Sequence, residues 1–279
     1  MPVYDMKDEI VDKVLEEIKD VIKSGISTGL RDIDYILDGG LQKGNVYVLG
    51  GRTGMGKTAL AMNIAHYALV QDKKVIYISL EMSAQQVLKR MIPLVARVKY
   101  SAGEYDAQDS EKLMKAVEWS KEKAFVIDDM IQSIDEIICT KYEYLGYNEA
   151  DLIVIDSLQL LEVSDEGDSR KQAMDSIGRK LKQFARKSGI PVLLISQLDG
   201  EIARRPDHRP VLSDIEEQGV IGQYADVVLF LYRDEYYNPD SESKGIAEII
   251  VSKNRSGRTG TWECVWLADY LKFCNLEKE

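Results

Sequence analysis

Residues 50–59 read GGRTGMGKTA. Gly51, Gly56, Lys57 and Thr58 fit the spacing G-x-x-x-x-G-K-[ST]. The run follows an apolar, β-branched segment and opens a helical one, which is the context this spacing needs. Glycines let successive main-chain N–H groups wrap phosphate oxygens, and the start of a helix adds partial positive charge. Gly51, Arg52, Thr53, Gly54, Met55, Gly56, Lys57 and Thr58 are therefore the candidate nucleotide-binding residues. Within them Lys57 would reach the β and γ phosphates, and the Thr58 hydroxyl would complete a Mg²⁺ shell.

Phosphoryl chemistry needs more than a cradle. The metal needs an acid from a neighbouring strand, and Asp156, which ends LIVID, is placed for it. Ser157, Leu158 and Gln159 follow, so no adjacent glutamate can position water. Glu81 sits at the end of KVIYISL, where strand ends line a ligand crevice, and is the candidate for orienting the attacking water. The alternative for Glu81 is a helix-capping carboxylate. Gln197 closes PVLLISQ in the same way and could sense the γ-phosphate; its alternative is a solvated loop amide. No N-K-x-D tetrad for reading guanine is present, which favours ATP with Mg²⁺.

Strands alternating with helices must hold these residues. Apolar runs occur at 45–50, 74–80, 124–128, 152–156, 191–196, 226–232 and 247–252, with helical patterns such as 58–70 and 176–187 between them. Alternation of this kind implies an α/β fold with a mainly parallel sheet and helices on both faces. The last runs, TWECVWLA and LKFCNL, read as an antiparallel hairpin at the edge. Ahead of this body, residues 5–24 carry apolar positions from Ile10 to Ile22 at helical spacing and end at Gly25, an amphipathic helix. The expected division is a linker helix over 1–24 and an ATPase domain over 25–279.

The chain has 279 residues and a net charge of −11, so any nucleic-acid contact must come from a local basic patch. Three cysteines and two histidines, without metal-ligand spacing, argue against a disulfide framework or a zinc site. The N-terminus has no apolar signal segment and no apolar run is long enough to span a bilayer. The expectation is a soluble, cytoplasmic protein with no membrane partner.

Glu81 after one strand, Asp156 without a neighbouring Glu, and Gln197 at a third strand together resemble the RecA-like P-loop NTPase core. The ordered strings STGLRDID, RTGMGKTA, SLEMS, DLIVIDSLQLL, ISQL, RRPDHRPVLSDI, ADVVLFLYRDEYY and KGIAEIIVSKNRSGRTG closely resemble the C-terminal motor domain of DnaB-type replicative helicases, over roughly 25–275. The resemblance implies an ATP-hydrolysing DNA helicase that assembles as a ring, usually a hexamer, with ATP between subunits. It implies that Lys253 and Arg255 reach the neighbour's site, and that residues 1–24 dock on an adjacent subunit. It further implies single-stranded DNA in a central channel, contacted by segments 163–170 and 199–222. Arg170, Arg204, Arg205, Arg209 and Gly219 are the DNA-binding candidates there, and a helicase loader or a primase is the expected protein partner.

The sequence departs from the family pattern in three places. About two dozen residues precede the motor, where family members carry a helical domain that binds primase. Glu216, followed by Glu217, stands where the family usually has an arginine facing the DNA backbone. Ser157 stands where it usually has Tyr. The first two departures keep open a regulatory or loader-like ATPase; a non-catalytic scaffold is the other alternative, and Glu81 and Arg255 argue against it.

Overall fold

Each central strand is apolar along most of its length and is covered on both faces. In the computed structural model, which describes residues 25–100, 105–139, 150–163, 169–198, 200–216 and 221–277, all positions of VYVLGG in β1 (Val46–Gly51) and VIYIS in β2 (Val75–Ser79) are buried. With β3 (Phe125–Asp128), β4 (Leu152–Asp156), β5 (Val192–Gln197), β6 (Val227–Tyr232), β7 (Ile246–Asn254), β8 (Gly260–Leu267) and β9 (Lys272–Asn275) they make one nine-stranded sheet. Its order is β3-β2-β4-β5-β1-β6-β7-β8-β9. The strands β1 to β6 run parallel. The last two runs do pair antiparallel, but the reversal begins one strand earlier, at β7 against β6.

Alternation along the strands splits the core into two layers. Tyr47, Leu49, Tyr77, Val154 and Leu193 face one side and pack with α2 (Lys57–Val70) and α3 (Ala84–Ala96). Val48, Ile76, Ile78, Ile153, Ile155 and Leu194 face the other and pack with α5 (Ile134–Cys139) and α6 (Arg170–Ser188). The remaining helices are α1 (Arg31–Ile36), α4 (Ala107–Lys121), α7 (Leu212–Glu216) and α8 (Ile221–Tyr224). This is a RecA-like α/β fold.

Helix α6 starts earlier than the apolar pattern suggests. Ser169 caps it, accepting from the Gln172 N–H, while the Gln172 side chain returns to the Ser169 N–H. Such a box satisfies two orphan donors and tolerates a polar first turn. Gly189, with φ of 72°, ends it. The loop read over 163–170 therefore ends at Ser169. The amphipathic helix read over residues 5–24, together with Gly219, lies outside the described residues.

Candidate active site

The residues that could do this chemistry lie at the carboxyl ends of β1, β2, β4 and β5. β1 and β5 stay in register to Gly51 opposite Gln197, and β2 and β4 to Ser79 opposite Asp156. That brings together Lys57 and Thr58 at the start of α2, Glu81 just after β2, Asp156 at the end of β4 and Gln197 at the end of β5.

The phosphate loop depends on its glycines. Gly54 and Gly56 have φ of 83° and 100°, values that side-chain-bearing residues avoid. A Cβ on Gly54 would approach the Tyr236 ring to 2.9 Å, and one on Gly56 would meet Phe273 at 3.3 Å. Arg233 donates to the Gly54 carbonyl at 2.9 Å and to Glu235 at 2.9 Å, with its guanidinium over the Trp266 ring. The loop is thus braced by residues from β6 and the antiparallel extension. Lys57 is 6% exposed, and its ammonium donates to the Arg52 carbonyl at 2.9 Å. Burial lowers its pKa to about 8, against the pull of Asp156 and Glu81. A phosphate beside it would restore the charged form.

Asp156 is buried, and burial raises its pKa, while hydrogen bonds from Thr58 and Tyr77 lower it. Its Oδ2 accepts from the Tyr77 hydroxyl at 3.0 Å. Its Oδ1 is buried with no hydrogen-bond partner among the described residues. A buried carboxylate oxygen without a donor is costly. Beside a threonine hydroxyl at a phosphate loop, it fits a hard cation completed by phosphate and water oxygens. Among the described residues no cluster of three His, Cys, Asp or Glu could hold a metal ion.

Glu81 does not cap the helix that follows it. Ser83 does, in a capping box with Gln86. Glu81 instead accepts from the Gln197 side chain at 3.2 Å, and Thr53 donates to the same amide at 3.3 Å. Gln197 is therefore no free loop amide: it bridges the phosphate loop and the candidate water-orienting acid. Ser157 is fully buried behind Asp156.

Lys253 and Arg255 are far from this cluster. β7 runs opposite to β6, so Val228 faces Lys253 and Val227 faces Asn254 at the amino end of β6. The Lys253 ammonium donates to the carbonyls of Gly222 and Gln223 at 2.8 and 3.2 Å. The Arg255 guanidinium donates to the Gln223 carbonyl at 2.7 Å and stands 3.7 Å from Asp226. They occupy the end of the sheet opposite the phosphate loop and cannot serve their own site. Nor does β7 form an edge, since β8 and β9 lie beyond it.

The DNA-binding candidates divide. Arg170 and Arg204 are exposed, at the first turn of α6 and the end of the 3₁₀ turn Gly200–Arg204. Arg205 pairs with Asp214 at 2.6 Å. Arg209 donates through Nε to Glu248 at 2.7 Å, makes a second bond to that carboxylate and lies 4.6 Å from the Tyr232 ring centre. Both guanidinium groups are thus engaged within the fold, while the sequence reading has them contacting DNA phosphates. Tyr77, Arg233 and Gln159 were not singled out as site residues by sequence reasoning. Only Tyr77 left a signal, a hydroxyl inside an otherwise apolar, fully buried strand.

With this geometry in hand, the comparisons are specific. Residues 25–275 match the family model described as the DnaB-like helicase C terminal domain. The replicative DNA helicase DnaB of Geobacillus stearothermophilus is 39% identical over 261 residues, covering 91% of this chain and 57% of that protein. The replicative DNA helicase DnaC of Bacillus subtilis (strain 168) is 37% identical over the same length. The chain thus spans 57% of the length of these curated relatives. Among solved structures, the ATPase domain of G40P superposes with a TM-score of 0.91 at 33% identity, over 99% of this chain and 100% of that one. A DnaB-like replicative helicase, studied for its interactions with primase, gives 0.91 at 34% over 97% and 68%. The RadB recombinase, at 20% identity and a TM-score of 0.58, shares the fold alone. The chain belongs to the family of DnaB-like helicase C-terminal domains.

Proposed function

We propose that this chain is the ATP-hydrolysing motor of a DnaB-type DNA helicase, working as a ring, a hexamer, on single-stranded DNA. One observation carries the reading. Lys57, Thr58, Glu81, Asp156 and Gln197 gather at one end of the sheet, while Lys253 and Arg255 stand at the other. A complete phosphoryl-transfer site then takes two copies, each lending its cations to the next, as a head-to-tail ring allows.

Within that site the loop from Gly51 to Thr58 binds the phosphates, and Lys57 exchanges the Arg52 carbonyl for a phosphate oxygen. Thr58 and Asp156 would hold Mg²⁺, which neutralises charge on the phosphate oxygens. Glu81 orients the attacking water and accepts its proton. Gln197 turns from Glu81 toward the γ-phosphate, so that its amide reports whether that group is present. Lys253 and Arg255 of the neighbouring copy place positive charge where the transition state develops negative charge. Turnover at each interface moves one copy against the next and so advances the DNA. Arg170 and Arg204, both exposed, are candidates for phosphate contacts beside Arg205 and Arg209, with Gly219 contributing main-chain N–H. A primase partner is supported by the similarity to the DnaB-like helicase characterised with primase, and a loader is a further candidate.

The test is the steady-state ATPase rate at low salt, with and without single-stranded DNA, at protein concentrations spanning assembly. A rate that climbs with protein concentration and rises further with DNA is expected. A rate that ignores DNA at every concentration would replace the motor by an ATPase acting on another protein.

A further inference from the structure

Strand β4 leaves the sheet before its neighbour does. The β4–β5 ladder pairs Ile153 with Val192, Val154 with Leu193 and Ile155 with Leu194. The chain then turns through Ser157 into the 3₁₀ turn Leu158–Leu160, whereas β5 continues to Gln197. On its other side β5 stays paired with β1, and the Leu198 N–H donates to the Gly51 carbonyl at 3.1 Å. At Gln197 the main chain has therefore lost its ladder partner on the β4 side.

The side chain of Gln159 takes that partner's place. Its Oε1 accepts from the Gln197 N–H at 3.0 Å, and its Nε2 donates to the Gln197 carbonyl at 2.9 Å and to the Ser196 hydroxyl at 3.1 Å. A primary amide is the one side-chain group that offers a donor and an acceptor in a plane, as a peptide group does. Asparagine is a methylene shorter, glutamate has no donor, and leucine has neither function.

The main chain at Gln197–Leu198 is thus clamped between Gly51, at the mouth of the phosphate loop, which accepts from Leu198, and Gln159, which holds both main-chain groups of Gln197. Its side chain meanwhile touches Thr53 and Glu81. A group that must distinguish a triphosphate from a diphosphate has to change partners without its Cα drifting, because positioning errors near 1 Å cost about a hundredfold in rate. We propose that Gln159 is a positioning residue: it fixes the Gln197 main chain so that the Gln197 amide discriminates nucleoside triphosphate from diphosphate. This rests on the reading of Gln197 as the γ-phosphate-facing residue of an ATPase.

The experiment uses the full chain carrying Gln159→Leu, Gln159→Glu or Gln197→Ala, and the double variant Gln159→Leu/Gln197→Ala. For each, the Kd of ADP, the Kd of a non-hydrolysable ATP analogue and the kcat and KM for ATP are measured. Both Gln159 variants should keep ADP affinity within about twofold, weaken the analogue about tenfold and lower kcat more than they raise KM, because hydrogen-bond losses of this kind act on the state that uses them. The double variant should be no worse than Gln197→Ala, as expected for residues acting as one unit. Equal weakening of ADP and analogue, or a lowered melting temperature with unchanged selectivity, would reduce Gln159 to a structural filler and overturn the proposal. Wild-type behaviour in the Gln159 variants, beside an impaired Gln197→Ala, would overturn it alone. Unchanged selectivity in Gln197→Ala would instead remove the reading of Gln197 beneath it.

Discussion

Lys57 and Glu81 carry opposite demands within one cleft. Lys57 is nearly enclosed, and its ammonium rests on a main-chain carbonyl of its own loop. A phosphate would give that buried charge a stronger partner. Lys57→Ala should therefore abolish measurable hydrolysis and weaken nucleotide binding; full turnover in this variant would refute the assignment of the phosphate loop. Glu81 touches Gln197 rather than a helix end, so Glu81→Gln should behave differently. It should bind ATP near normally but lose roughly 10²–10⁴ in kcat, the usual worth of a positioned base. A matching loss of ATP affinity would place Glu81 in binding. The placement of both in one cleft was legible in the sequence, because spacing and strand-end position announce it. Gln159 was not: its partner lies 38 residues away, and nothing in the string DSLQLL states where an amide will fold back.

At the scale of elements, the parallel strands could be read directly, since each is a near-continuous apolar run, half-buried in β3 and buried on both faces in the others. The reversal at β7 could not, because an alternating run such as AEIIVS does not state its direction, which is set by the chain returning from Tyr232. The partners of the basic stretch after β5 were hidden for a similar reason. Charge is visible in a sequence, but the Glu248 that engages Arg209 sits on another strand. Arg209→Ala should cost about 2 kcal/mol of stability, because Glu248, 14% exposed, is left without its partner. DNA affinity should change by less than about twofold, within what one exposed charge contributes when it is not bound to phosphate. Thermal melting and a fluorescent single-strand titration check both halves; a large DNA defect with unchanged melting would return Arg209 to the DNA surface. Helix α2 gives a second test. His66 packs edge-on against Trp119 of α4 at 5.4 Å. Burial, with Lys272 and Arg97 nearby, lowers its pKa to about 4. The unfolded chain then takes up this proton first, so stability is complete above about pH 6.5 and is lost as pH falls toward 4. The fall in unfolding free energy between pH 7 and pH 4.5 should be smaller in His66→Phe by about 2 kcal/mol. An identical fall in both proteins would mean that His66 is protonated within the fold.

For the whole molecule, the separation of the two ends of the sheet turns a local observation into a claim about assembly. Lys253 and Arg255 are held by the Gly222 and Gln223 carbonyls and by Asp226, at the end of the sheet where β6 begins, and no rearrangement of side chains alone brings them to Lys57. If hydrolysis needs them, it needs a second copy. A Lys57→Ala protein lacks a working phosphate loop but still offers its cations, whereas an Arg255→Ala protein lacks the guanidinium but keeps its loop. Each alone should be inactive, and Arg255→Ala should still bind nucleotide. Mixed in equal amounts and allowed to exchange, they should recover up to about a quarter of wild-type turnover per interface, since in a head-to-tail ring one interface in four then joins an intact loop to an intact Arg255. Coupling between neighbouring sites would lower that figure, and dilution below the assembly concentration would remove it. Activity in Arg255→Ala alone, or no recovery in a mixture whose subunits demonstrably exchange, would show that these cations do not complete a neighbour's site, and the ring would lose its chemical reason.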